Sequence, residues 1–119
     1  KDVKARHNFV YGASSANRFS ADQGYSEHQL GTTIDFTSLK TGVALTGFEK
    51  TSSYKWLQEN AHKFGFTLSY PPSNSYYIFE PWHWRFVGVS LATYLYAQNK
   101  YFYDLSQKEI DNYLIKIFD

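Results

Sequence analysis

Apolar residues recur with a helical period from Tyr54 onward. Tyr54, Leu57, Ala61 and Phe64 stand three, four and three apart, which predicts one apolar helix face. Thr51, Ser52 and Ser53 precede it as N-cap candidates, and Gly65 follows as a residue able to take the left-handed C-terminal cap. Before this helix, Thr32 to Thr37 alternates β-branched and apolar residues as a half-buried strand does, and a loop containing Gly42 and Gly47 joins the two. After it, Phe66 to Tyr70 reads as a strand ending at Pro71-Pro72. Ser73-Asn74-Ser75 predicts a turn into a strand from Tyr76 to Phe79, and a further strand is expected from Trp82 to Val87. Two helices close the chain. Val89 to Gln98 presents Leu91, Tyr94 and Leu95, and a second opens at Ser106-Gln107-Lys108-Glu109, the S-x-x-E pattern of a capping box, presenting Ile110, Leu114 and Ile117 inward. Residues 1 to about 18 also pattern as a helix anchored by Val3, Phe9 and Val10, and Asp22 to Gly31 as a loop. Helices at both ends of a run of strands predict the α+β class, a small antiparallel sheet flanked by helices. Short connections among the later strands favour hairpins.

Composition narrows the function classes. A chain of 119 residues fits a single domain, 1–119. A net charge of +1 without a basic run gives no electrostatic case for nucleic acid. The absence of Cys excludes a disulfide framework and any thiolate metal site. Eleven Tyr, ten Phe and three Trp are enough rings to fill a core and to line a groove as well. No stretch has the apolar length of a membrane span, and no signal peptide is recognisable. The sequence opens at Lys1-Asp2-Val3-Lys4 without an initiator Met, so it is expected to be a processed or excised piece of a longer protein that lacks its N-terminal portion.

The candidate chemistry lies in two segments, Ser26-Glu27-His28-Gln29-Leu30-Gly31-Thr32-Thr33-Ile34-Asp35 and Glu80-Pro81-Trp82-His83-Trp84-Arg85. Between them they supply two imidazoles, an aspartate and, in the second segment, a further glutamate, Glu80. That is the minimum for a hydrolytic zinc site: three protein ligands and a carboxylate to take a proton from water. An N/N/O set suits zinc better than the all-oxygen shells of calcium or magnesium. His28 and Asp35 are seven apart and would face opposite sides of one ideal strand, so they converge only if the chain bends, as Gly31 permits. Glu80 and His83, three apart, meet the same parity problem, and Pro81 between them predicts a break in the strand. Each motif alone has a bland reading, since a His beside a Gly is common in loops and Glu-x-x-His arises by chance.

Ser26, His28, Gly31 and Asp35 make a Ser-x-His-x-x-Gly-x-x-x-Asp pattern, and Glu80, Trp82 and His83 make Glu-x-Trp-His. With Gly24-Tyr25, Lys55-Trp56-Leu57, Asn60-Ala61-His62, Phe64-Gly65-Phe66 and Arg85-Phe86-Val87-Gly88 around them, the stretch from about Tyr11 to Gly88 resembles the zinc D-alanyl-D-alanine carboxypeptidase family of bacterial cell-wall peptidases. The resemblance implies a zinc peptidase fold of the Hedgehog/D-Ala-D-Ala-peptidase type. It implies Zn2+ held by His28, Asp35 and His83, with Glu80 as general base and then proton donor to the leaving amine. Ser26, Tyr70, Trp82 and Arg85 become candidate substrate-binding residues. For three of them a structural role competes: bracing of the His28 loop for Ser26, core packing for Trp82 and ion pairing for Arg85. His62 and His7 are expected at the surface.

The match has gaps. A family segment resembling Ser-Gly-Tyr-Arg-Ser, whose arginine holds the substrate carboxylate or oxyanion, would lie before this sequence begins. Arg6 and Arg18 stand too close to His28 to replace it. Thr33 stands where the family has Ala, Ser69-Tyr70-Pro71 where it has Arg-Tyr-Pro, and Asp22-Gln23-Gly24 where it has Arg-Pro-Gly. The implied function is removal of the C-terminal D-alanine from peptidoglycan stem peptides, by D,D or L,D cleavage, in a monomer acting outside the cytoplasm in the cell envelope or secreted. Two alternatives stand beside it: a D,D-dipeptidase or endopeptidase on the same scaffold, and an inactive zinc-binding module for cell wall or a protein partner.

Overall fold

The computed structural model describes residues 25–39, Gly42 and 45–114. The expected N-terminal helix, His7 and the inward placement of Leu114 and Ile117 lie outside the described residues. Strands β1 (Thr33–Asp35), β2 (Phe66–Leu68) and β3 (His83–Phe86) form one antiparallel sheet in the order β1-β3-β2. Helices α1 (Ser52–Asn60), α2 (Val89–Gln98) and α3 (Gln107–Leu114) flank it. Single 3-10 turns occur at Glu27–Leu30, Phe48–Lys50, Ala61–Phe64 and Phe102–Asp104.

Register divides the sheet into two chemically distinct faces. Asp35 lies opposite His83, Thr33 opposite Arg85, and Thr67 opposite Arg85 on the other side. Because side chains alternate, these polar residues share one face. Leu68 and Trp84 pair on the opposite face, as do Phe66 and Phe86. There Leu68 and Trp84 join Phe48, Tyr54, Leu57 and Ala61 in the main core cluster. A second cluster gathers Val87, Leu91, Ala92 and Leu95 beneath α2. Leu95 is 1% exposed, and burying such a side chain contributes about 1.5–3 kcal/mol.

Helix α1 starts at the expected place. The Thr51 hydroxyl accepts the Tyr54 N–H at 3.1 Å and donates to the Phe48 carbonyl at 2.7 Å. It ends differently: after Asn60 the chain tightens into the 3-10 turn Ala61–Phe64, which Gly65 closes at φ 85°. Three residues per turn replace 3.6, so Phe64 leaves the apolar face and stands 60% exposed, against Trp56.

The strand expected from Tyr76 to Phe79 is irregular chain instead. The Asn74 carboxamide oxygen accepts the backbone N–H of both Tyr76 and Tyr77, at 3.0 and 2.7 Å. The turn side chain thus satisfies donors that a ladder would otherwise need. The excursion between β2 and β3 is pinned at its base by the bond from Glu80 N–H to the Tyr70 carbonyl, 3.1 Å. The Ser106–Glu109 capping box of α3 forms as expected, with Glu109 Oε2 accepting the Ser106 N–H at 2.8 Å and Ser106 Oγ accepting the Glu109 N–H at 3.3 Å.

Candidate metal centre

The first motif folds into a 3-10 turn rather than an open loop. Ser26 Oγ accepts the His28 N–H at 3.3 Å, and the Gln29 side chain accepts the Ser26 N–H at 3.4 Å. Gly31 ends the turn in the left-handed region, φ 70°, and donates its N–H to the His28 carbonyl at 3.1 Å. This reversal sends the chain into β1 and brings His28 back over Asp35: His28 Nε2 lies 3.2 Å from Asp35 Oδ1.

The second motif turns at the predicted break. The His83 N–H bonds the Glu80 carbonyl at 3.1 Å across Pro81-Trp82, and Trp84 Nε1 donates to the Pro81 carbonyl at 2.9 Å. His83 then enters β3 opposite Asp35. Its Nδ1 lies 3.4 Å from Asp35 Oδ1 and 3.3 Å from Glu80 Oε2. His28, Asp35 and His83 each offer a ligand atom, and all three atoms lie within 4.8 Å of one another. Metal–nitrogen and metal–oxygen bonds of about 2.0–2.1 Å in a tetrahedral site put neighbouring ligand atoms roughly 3.3 Å apart. The two separations measured to Asp35 Oδ1 match that edge, so the donor set fits a zinc-sized cation. Asp35 and His28 face solvent while His83 is buried, which leaves one side of the set open.

Sequence reasoning passed over Glu27, the most heavily engaged carboxylate here. It is 4% exposed. Its Oε2 lies 2.8 Å from His83 Nε2 and accepts the Ser69 hydroxyl at 2.7 Å. Its Oε1 accepts the Tyr103 hydroxyl at 2.6 Å and Arg85 Nη1 at 3.1 Å. Burial alone would raise its pKa, but hydrogen bonds from His83, Tyr103 and Ser69 and the charge on Arg85 bring it down to about 2. Glu80 behaves oppositely. Burial pushes its pKa up to about 7; Asp35 and Glu27 add to the rise, and His83 opposes it. The two glutamates, both near His83, are thus held in different roles: one a fixed anion, the other able to exchange a proton near neutrality.

Residues 4–89 of the chain match the VanY D-alanyl-D-alanine carboxypeptidase family. The chain belongs to that family. The D-alanyl-D-alanine carboxypeptidase of Enterococcus faecalis (strain ATCC 700802 / V583) is 41% identical over 88 residues, 71% of this chain and 31% of that protein. Among solved structures, the LdcB LD-carboxypeptidase is 32% identical with a TM-score of 0.73, over 93% of this chain and 51% of that one. The vancomycin-resistance D,D-pentapeptidase VanY from a VanB-type cassette, solved as a mutant in complex with Zn(II), is 33% identical with a TM-score of 0.66, over 93% and 60%. The chain therefore spans about a third of the length of the Enterococcus relative and half to three-fifths of these two structures. The α+β fold expected from the residues is the one these carboxypeptidases share.

Around the candidate metal ligands of this VanY-family domain, the remaining candidates fall into distinct settings. Ser26 caps the His28 turn. Tyr70 is half-buried with its ring 4.8 Å from that of His83 and 4.5 Å from that of Tyr77, and it stacks parallel to Tyr103 at 6.1 Å. Trp82 is half-buried against the main core cluster. Arg85 is engaged by Glu27 and lies 4.3 Å over the Phe102 ring. His62 is half-buried and stacks on Tyr96 at 3.7 Å. Tyr103 had no local signal. It lies beyond the matched residues and reaches the site through the Phe102–Asp104 turn.

Proposed function

We propose that this chain carries the catalytic centre of a zinc-dependent carboxypeptidase that removes the C-terminal D-alanine from peptidoglycan stem peptides. The observation that carries the reading is Glu80 Oε2 at 3.3 Å from His83 Nδ1, beside an Asp35 Oδ1 that lies at tetrahedral-edge distance from both His28 Nε2 and His83 Nδ1. Zn2+ would be held by His28 Nε2, Asp35 Oδ1 and His83 Nδ1. A bound zinc supplies the Lewis acidity that acidifies water and polarises a peptide carbonyl. Glu80, ionised above its raised pKa, accepts the proton of the attacking water and passes it to the departing alanine amine. Tyr70 stands beside the ligands with its phenol kept protonated by burial and its hydroxyl hydrogen-bonded to that of Tyr103, a ring and a polar group within reach of a bound peptide. With Glu80 ionised, Asp35, Glu27 and Glu80 together carry three negative charges around one imidazole. Arg85 and a divalent cation would neutralise them.

Similarity to an LD-carboxypeptidase and to a D,D-pentapeptidase supports both stem tetrapeptide and pentapeptide as substrates. Such substrates lie outside the cytoplasm, and we assign the protein there. No helix among the described residues is long and apolar enough to cross a membrane.

The test is mass spectrometry of synthetic stem tetrapeptide and pentapeptide after incubation with the zinc-loaded protein, beside Glu80→Ala. Loss of a single alanine, absent in the variant, establishes the hydrolase and separates D,D from L,D cleavage. Zinc binding without cleavage of either peptide would instead support the inactive zinc-binding module.

A further inference from the structure

The His83 ring has two nitrogens, and the surroundings of each settle which one carries the proton. Nε2 lies 2.8 Å from Glu27 Oε2. The Glu27 carboxylate also receives the Ser69 hydroxyl on that oxygen, and the Tyr103 hydroxyl and Arg85 Nη1 on the other. A carboxyl group surrounded by donors in this way has no room for a proton of its own and acts only as acceptor. In a neutral His83 the hydrogen must then sit on Nε2, leaving the lone pair on Nδ1. That nitrogen is the one facing Asp35 Oδ1 at 3.4 Å and Glu80 Oε2 at 3.3 Å. From the other ligand's side, His28 Nε2 meets the same Asp35 oxygen.

We propose that Glu27 is a positioning residue for the metal centre: its carboxylate accepts the Nε2–H of His83 and so fixes the tautomer and ring orientation that present Nδ1 to the cation. The inference rests on the metal reading proposed above. Glu27 itself is held from three separate parts of the fold. Ser69 follows β2, Arg85 belongs to β3, and Tyr103 comes from the 3-10 turn after α2. Arg85 is in turn fixed over the Phe102 ring, next in sequence to Tyr103. The C-terminal turn therefore reaches the metal centre through two residues, although it lies beyond residues 4–89 that match the family. A partner of this kind raises the basicity of a ligating imidazole, and its loss weakens metal binding by about ten- to a hundredfold.

The experiment compares the full chain with Glu27→Gln, a substitution that keeps volume and removes the anionic acceptor. Zinc affinity is read by competition with a chromophoric chelator, ligand geometry by the visible spectrum of the Co(II)-loaded protein, and the His83 tautomer by 15N imidazole resonances of the zinc-loaded protein. Wild type is expected to show His83 protonated at Nε2 and bound through Nδ1. Glu27→Gln is expected to bind zinc about ten- to a hundredfold more weakly with an altered Co(II) spectrum. Unchanged affinity and spectrum in the variant, or His83 bound through Nε2 in wild type, overturns the inference while leaving the metal reading intact. Failure of wild type to bind zinc one to one overturns both. If metal-free Glu27→Gln does not fold, Tyr103→Phe removes one brace at lower risk. A few-fold loss of affinity supports the proposal, and none, together with the reversed tautomer in wild type, overturns it.

Discussion

Glu80 Oε2 and Asp35 Oδ1 approach the same ring nitrogen of His83, at 3.3 and 3.4 Å, yet Asp35 is half-exposed and Glu80 largely buried. Burial separates their roles, keeping Glu80 near pKa 7 in the metal-free site. A base must be ionised to accept a proton, so kcat/KM should rise with pH through the Glu80 pKa. A cation on the three ligands favours the carboxylate, which places the acid limb at or below about 7. Glu80→Gln is expected to lower kcat by about 10²–10⁴-fold while zinc affinity stays within about threefold. Parallel losses of rate and affinity would reassign Glu80 to metal binding.

Metal loading should release a proton. Burial alone lowers the His83 pKa, but hydrogen bonds to Asp35 and Glu27 and the charge of Glu80 push it up to about 9 without metal. A ligating imidazole must be neutral, so below about pH 9 the cation displaces that proton. Zinc affinity is therefore expected to weaken by about tenfold per pH unit as pH falls below 9, and calorimetry in buffers of different ionisation enthalpy should count about one proton. The linkage for metal-free stability has the opposite sign. Because the folded pKa exceeds 6.5, the His83 contribution is complete below 6.5 and lost as pH rises through 9. A pH-independent zinc affinity between 6.5 and 9 would contradict this placement of the His83 proton.

The bends at Gly31 and Pro81 were legible because strand parity is a local rule, and both converging pairs needed a break where a Gly or Pro stands. Thr51 and Gly65 announced the ends of the first helical segment for similar local reasons. Glu27 was not legible. It looks like a charged loop residue between Ser26 and His28, whereas its partners Ser69, His83, Arg85 and Tyr103 stand 42, 56, 58 and 76 residues away. Only the fold reveals that its carboxylate is buried. An acidic residue flanking the candidate ligand His28, with an Arg two residues past the candidate ligand His83, was the one available hint. The misread strand at Tyr76 and the outward Phe64 share a cause: side-chain and 3-10 hydrogen bonds replaced the regular ladder and helix periods that the apolar pattern implied.

Gly65 joins α1's closing turn to β2 under a double constraint. Its φ is 85°, and an added Cβ would lie 2.5 Å from Phe86 Cε2 and 3.1 Å from the Gly88 carbonyl carbon. Phe86 lies opposite Phe66 in the sheet with the two rings packed edge to face, so relief by moving its ring would disturb that aromatic pair. Gly65→Ala is expected to destabilise the metal-free chain by about 2 kcal/mol or more, from left-handed strain plus the clash. Thr51→Ala, which removes a helix cap, should cost about 1 kcal/mol. Urea unfolding measures both, and an effect of Gly65→Ala smaller than that of Thr51→Ala would show that Phe86 yields freely.

Tyr70 offers a test of the substrate side of the site that leaves the metal in place. Its ring is 4.8 Å from His83 and is flanked by Tyr77 and Tyr103, so the aromatic body has packing partners whether or not the hydroxyl contacts a ligand. Burial, reinforced by the nearby Glu27 charge, pushes its phenol well above the ordinary range, so the hydroxyl stays a neutral donor throughout the working pH. Tyr70→Phe removes that hydroxyl together with its hydrogen bond to Tyr103 and leaves the ring in place. If the hydroxyl also binds the stem peptide, KM should rise by about fivefold, the equivalent of about 1 kcal/mol for one neutral hydrogen bond, when measured at saturating zinc. Tyr70→Ala also removes the ring against His83 and should weaken both peptide and zinc binding. An unchanged KM in Tyr70→Phe would assign this residue to the aromatic packing around His83 instead of to the peptide.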